Sequence, residues 1–110
     1  MALITFAKIE EEDPYFLDVD KWPDWQAQFG NNNPLTLEIG FGMGSFLIEM
    51  SAQEPKTNFI GMDFYHKGIR KLMTRIKKLQ LENIRMAYGD VRFKVPLLFK
   101  DGELDTVYIN

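Results

Sequence analysis

The stretch "LEIGFGMGSF", residues 37–46, sets glycine at positions 40, 42 and 44 immediately after the apolar run Leu35–Ile39. A glycine inside a helix or strand costs roughly 0.5–1 kcal/mol relative to alanine, so three at alternate positions mark a bend. The run Ser45–Gln53 that follows reads as a helix, with Phe46, Leu47 and Met50 on its inner face. A strand, a glycine bend and a helix form a unit that buries its strand in a sheet covered by helices. The rest of the chain repeats the unit. Thr57–Met62 reads as a second strand, and apolar residues at 69, 72, 73, 76 and 79 predict a helix over His66–Leu81. Asn83–Ala87 reads as a third strand, Val91–Phe99 as a helix in which Pro96 needs the first turn or a kink, and Leu104–Ile109 as a fourth strand. The alternation predicts an α/β fold with a parallel sheet and right-handed crossovers.

The first third is less regular. Glu10 to Asp13 is an acidic cluster, and Pro14 opposes helix through it. A short helix is expected over Asp20–Phe29, capped by Asp20, with Pro23 in its first turn and Trp22, Trp25 and Phe29 as a stripe. That stripe reads as core packing ahead of a base-stacking surface. Residues 1–34 therefore form an approach segment, and residues 35–110 a ligand-binding domain whose sheet is truncated after the fourth strand. No run approaches the ~18 apolar residues of a membrane span. The start has no signal-peptide pattern. The absence of cysteine excludes disulfides and thiolate metal ligands and fits a cytoplasmic setting. His66, the only histidine, has no second metal-ligand candidate at suitable spacing, so no metal site is expected. A net charge of −3 gives no overall attraction to nucleic acid, so any such surface must be local.

Gly40, Gly42 and Gly44 let backbone approach a ligand closely. Dinucleotide enzymes use G-x-G-x-x-G for pyrophosphate, whereas the spacing here is G-x-G-x-G and position 45 is serine. Glu38, two residues before the first glycine, would repel pyrophosphate and attract a ligand carrying positive charge. S-adenosylmethionine, with its sulfonium and ammonium, is such a ligand. Asp63 ends the second strand 25 residues later, near the ~20-residue offset of an acid that accepts from ribose hydroxyls. Asp90 follows the third strand, where it can accept from an adenine amine while backbone at Val91 donates. Each acid alone is more often a helix cap, but three at successive strand ends point to a nucleoside site.

These blocks resemble the class I S-adenosylmethionine-dependent methyltransferases, and within them the tRNA (guanine-N7)-methyltransferases. The resemblance is carried by "NPLTLEIGFGMGSFLIEMSAQEPKTNFIGMDFY", "KGIRKLMTRIKKLQLENIRMAYGDV" and "LDTVYIN", and spans about residues 14–110. It implies a Rossmann-like fold with sheet order 3-2-1-4. It also implies cofactor binding by Glu38, Asp63 and Asp90 with the Gly40 loop, and methyl transfer to guanine N7 of tRNA. Asp63 departs from the glutamate common in the family. The family's catalytic aspartate loop is expected just beyond Asn110, so this chain alone is expected to be inactive, and its fourth strand to form an exposed edge prone to self-association. A methyltransferase of another substrate, or a non-catalytic nucleoside-binding module, are the alternatives.

His66 reads as a surface or capping residue. The basic positions Lys67, Arg70, Lys71, Arg75, Lys77 and Lys78 fit either a solvated helix face or contacts to tRNA phosphates. Tyr65 and Tyr108 lie near strand ends, where packing is the commoner use of such rings.

Overall fold

The computed structural model describes residues 22–63 and 69–109. The acidic cluster at Glu10–Asp13, Pro14, Asp20, Tyr65, His66 and Lys67 lie outside the described residues. Along the chain run α1 (Trp25–Phe29), β1 (Leu35–Ile39), α2 (Ser45–Gln53), β2 (Asn58–Asp63), α3 (Ile69–Leu79), β3 (Ile84–Tyr88), α4 (Val91–Leu98) and β4 (Thr106–Ile109). The four strands are parallel, as the alternation predicts, and ordered β3-β2-β1-β4, as the family resemblance implies. β1 is central: Glu38 is in register with Gly61 of β2 on one side and Tyr108 of β4 on the other.

Successive residues of a strand point to opposite faces, and here both faces of β1, β2 and β3 are covered. Phe59, Ile84 and Met86 join Phe41, Leu47, Ile48 and the buried residues of α3 on one face. Leu35, Leu37, Ile60, Met62 and Ala87 join Trp25, Leu98 and Phe99 on the other. Double coverage accounts for the near-continuous apolar runs in the sequence. β4 is different, exposed along its whole length, in keeping with the expected edge.

Three local expectations are corrected. Asp24, not Asp20, caps α1, its side chain accepting from Ala27 N at 3.2 Å. Trp22 and Pro23 precede the helix, because the Trp22 backbone donates to the Leu97 carbonyl and its indole Nε1 to that of Pro96 at 3.1 Å. Only Trp25 and Phe29 keep the helical stripe, and Trp25 is core: it is buried, stacks on Phe99 at 5.1 Å and donates Nε1 to the Leu98 carbonyl. On the inner face of α2, Leu47 and Met50 pack into the core as expected, joined by Ile48 and Ser51, but Phe46 is half exposed and meets Tyr108 of β4 edge-on at 5.3 Å. Pro96 lies in the last turn of α4 and not its first. It forfeits one helical bond there, while the tryptophans cap the three carbonyls that follow.

α3 ends in a Schellman arrangement, with Gln80 N donating to the Lys77 carbonyl and Leu81 N to that of Ile76. Gln80 holds the left-handed position normally given to glycine, at φ 56°.

Candidate functional site

The bend after β1 is built from left-handed backbone. Gly40, Gly42 and Gly44 have φ of 77°, 58° and 81°, values L side chains rarely adopt. The glycines serve different ends. A Cβ at Gly44 would overlap the Leu72 side chain, so its bareness lets α3 pack against the start of α2. A Cβ at Gly42 would meet nothing within 4 Å, and Met43 beside it is 82% exposed. Gly42 therefore presents open backbone at the surface, and Gly44 is a packing requirement.

Backbone bonds tie this bend to the neighbouring strand ends. Gly40 N donates to the Met62 carbonyl at 2.7 Å, Gly42 N to Asp63 Oδ2 at 3.0 Å, and Gly89 N to the Asp63 carbonyl at 3.1 Å. The carboxyl ends of β1, β2 and β3 thus form one continuous rim. Ligands of open α/β sheets bind at this end, where the connections diverge to the two faces. Asp63 stands at the middle of the rim, partly buried.

Glu38 lies beneath the bend and is 1% exposed. Its register partner Gly61 makes room for the core that closes over this face: a Cβ at Gly61 would come within 2.6 Å of Leu47 Cδ2 and 3.2 Å of Phe41 Cδ2. Gly61 is a packing requirement beneath the bend that the sequence reading misses, since a lone glycine inside "NFIGMD" carries no motif.

Asp90 is engaged locally. It is the N-cap of α4: Oδ1 accepts from Arg92 N at 3.0 Å and Arg92 Nε at 3.1 Å, and Oδ2 from Arg92 Nη2 at 2.6 Å. The Arg92 side-chain hydrogen bond, then its backbone N–H, holds the Asp90 carboxyl below the usual carboxylate range. The structure thus brings Gly40, Gly42 and Asp63 into direct hydrogen-bonded contact with the rim, sets Glu38 under it, and places Asp90 and Val91 at its β3 end with Asp90 serving as a cap.

Two further polar residues secure the opposite end of the sheet, and neither is anticipated from the sequence. Asn83 Nδ2 donates to the carbonyls of Ser51, Glu54 and Thr57, closing the end of α2 onto β2. Arg85 donates to the carbonyls of Gln28 and Glu82 and lies 4.7 Å over the Phe29 ring, holding α1 against β3. A cavity of about 580 Å³, lined by residues including Trp22, Asn33, Asn58 and Lys100, lies at this end, away from the glycine bend. Among the described residues no group of three or more His, Cys, Asp or Glu is placed to hold a metal ion, and no helix is long and apolar enough to cross a membrane.

Comparison with known proteins agrees with this geometry. The family described as "Putative methyltransferase" matches residues 32–110. A tRNA (guanine-N(7)-)-methyltransferase of Geobacter metallireducens is 41% identical over 105 residues, covering 93% of this chain and 50% of that protein. One of the same name from Syntrophotalea carbinolica is 36% identical over 110 residues, covering 97% of this chain and 47% of its own. The chain spans about half the length of these relatives. Among solved structures, a 30S ribosomal A1408 methyltransferase from an uncultured bacterium superposes with a TM-score of 0.63 at 19% identity, over 78% of this chain and 41% of its own. PKMT2 from Rickettsia typhi in complex with AdoHcy gives 0.57 at 23% identity, over 74% and 16%. Both show the shared fold. With 79 of its 110 residues inside the family match and the strand order of that fold, the chain belongs to this methyltransferase family.

Proposed function

We propose that this chain is the cofactor-binding part of a tRNA (guanine-N7)-methyltransferase, acting on tRNA in the cytoplasm with S-adenosylmethionine as methyl donor. The observation that carries the reading is the rim itself: open backbone at Gly42, bonded to Asp63, above the enclosed carboxyl of Glu38. When bound, S-adenosylmethionine supplies a methyl group activated by a sulfonium. Glu38, enclosed by protein, favours a cationic ligand at the bend, because a charge acts more strongly where water is excluded. The Asp63 carboxylate, an acceptor with two oxygens at the centre of the rim, is of the kind that suits ribose hydroxyls. Val91 N–H and the Asp90 carboxylate, at the β3 end, suit an adenine edge, with Arg92 displaced from Asp90. Gly40 and Gly42 keep Cβ atoms out of the approach, while Gly44 seats α3 beneath it.

Guanine N7 already carries a lone pair, so the reaction requires no proton removal. The chain's contribution is therefore orientation and electrostatics rather than acid–base chemistry. Calorimetry with S-adenosylhomocysteine and NAD tests the site in the full-length protein carrying this chain. S-adenosylhomocysteine is expected to bind in preference to NAD, and Glu38→Gln to weaken it by at least tenfold. Preference for NAD, or unchanged affinity in Glu38→Gln, refutes the assignment. Methylation of unmodified tRNA, read by strand scission at N7-methylguanine, tests the substrate.

A further inference from the structure

The charge of α3 is unlike that of the chain as a whole. Across Ile69–Leu79 there are five cations, Arg70, Lys71, Arg75, Lys77 and Lys78, and no acid, in a chain whose net charge is −3. At 100° per residue these cations fall within one sector of about 160°, and Thr74 lies among them. Ile69, Leu72, Met73 and Ile76 fill the opposite sector and are buried. All five cations are exposed, so the fold presents them together as one strip.

The position of the strip connects it to the site. Arg75 Nη1 donates to the Met43 carbonyl at 3.2 Å, across 32 residues, fastening the strip to the exposed tip of the glycine bend. Leu72, on the underside of the same helix, is the side chain against which Gly44 packs. From Arg70 to Lys78 the strip runs about 12 Å along the helix at 1.5 Å per residue. A nucleic-acid strand carries a phosphate about every 3.4 Å along a duplex axis, so such a strip meets several phosphates at once.

We infer that the exposed face of α3 is a docking surface for the phosphate backbone of the RNA substrate, beside the bend that receives the methyl donor. The inference rests on the RNA-methyltransferase reading above. A phosphate backbone is the occupant favoured because the strip is cationic along its length and polar at Thr74, with Ile69, Leu72, Met73 and Ile76 turned into the core and Leu79 alone among the apolar residues of α3 exposed, at its end. Such contacts give affinity and register without reading bases. Arg75 then has two duties, since its bond to Met43 links the docking strip to the cofactor bend.

The test uses the full-length protein carrying this chain and an unmodified tRNA transcript, with Arg70→Gln, Lys71→Gln and Lys78→Gln combined. Glutamine is a good helix former, so α3 is retained. Arg75 and Leu72 are left intact because they hold the bend. Each lost phosphate contact lowers the slope of log affinity against log salt by about 0.7–0.9, so three remove roughly 2–3 from it. Affinity at low salt is expected to fall at least tenfold, while S-adenosylhomocysteine affinity stays unchanged. The charge-retaining set Arg70→Lys, Lys71→Arg and Lys78→Arg is expected to keep both tRNA affinity and slope. Unchanged tRNA affinity and salt slope in the glutamine variant overturn the docking surface while leaving the methyltransferase reading standing. A parent protein that binds S-adenosylhomocysteine and no RNA overturns both the surface and the RNA substrate.

Discussion

Replacing Gly44 with alanine separates packing from ligand access in the glycine bend. At φ 81° an L residue bears a cost of about 1–2 kcal/mol for the left-handed conformation. The new Cβ would also lie 2.6 Å from Leu72 Cδ2 and 3.0 Å from Leu72 Cγ, and overpacking of this kind costs about 1–3 kcal/mol. Gly44→Ala should therefore destabilise by about 2–5 kcal/mol. Gly42→Ala carries the conformational cost alone, about 1–2 kcal/mol, because its Cβ meets nothing. Urea unfolding followed by circular dichroism measures both. Leu72→Ala removes the obstructing atoms, so in that background the cost of Gly44→Ala should drop to about 1–2 kcal/mol, a coupling of about 1–3 kcal/mol. Equal costs at positions 42 and 44, or no coupling to Leu72, would refute this division of labour.

Gln80→Gly should raise stability by about 0.5–1 kcal/mol, since glycine suits the φ of 56° that ends α3 and gives back part of the gain as chain entropy; thermal unfolding checks the sign. Asp90 supplies a pH dependence. Its carboxyl is held below the ordinary range by Arg92, so its contribution is fully present above that range and is lost as pH falls through the depressed value. Asp90→Asn keeps a capping side chain and should flatten the acid limb of a stability profile recorded from pH 5 downward; an unchanged limb excludes the Asp90–Arg92 pair as its source.

The strands, the helices and the bend were legible because each leaves a local trace, as an apolar run, a helical period or glycines at fixed spacing, whereas the strand order came from the family resemblance. What depended on distant partners was not. Phe46 leaves the inner face that Leu47 and Met50 keep because it finds Tyr108, 62 positions along the chain, and nothing within α2 records that meeting. The start of α1 follows the same logic, being fixed by indole and amide bonds from Trp22 and Trp25 to carbonyls of α4. Asp90 shows how a strand-end acid can answer two descriptions, since the position that suits a ligand also suits a helix cap. Arg85 and Asn83 were silent because their partners are main-chain carbonyls, which every sequence has.

The central place of β1 bears on the order in which this molecule is assembled. Leu35 N donates to Asp105 Oδ2, and Asp105 N returns a bond to the Leu35 carbonyl, clasping segments 70 residues apart. On a ribosome, the strand beneath the bend emerges about 70 residues before the segment that closes its second flank. Weakened pairing at that clasp would leave β1, β2 and β3 joined with their rim in place, and the outer flank of β1 still open.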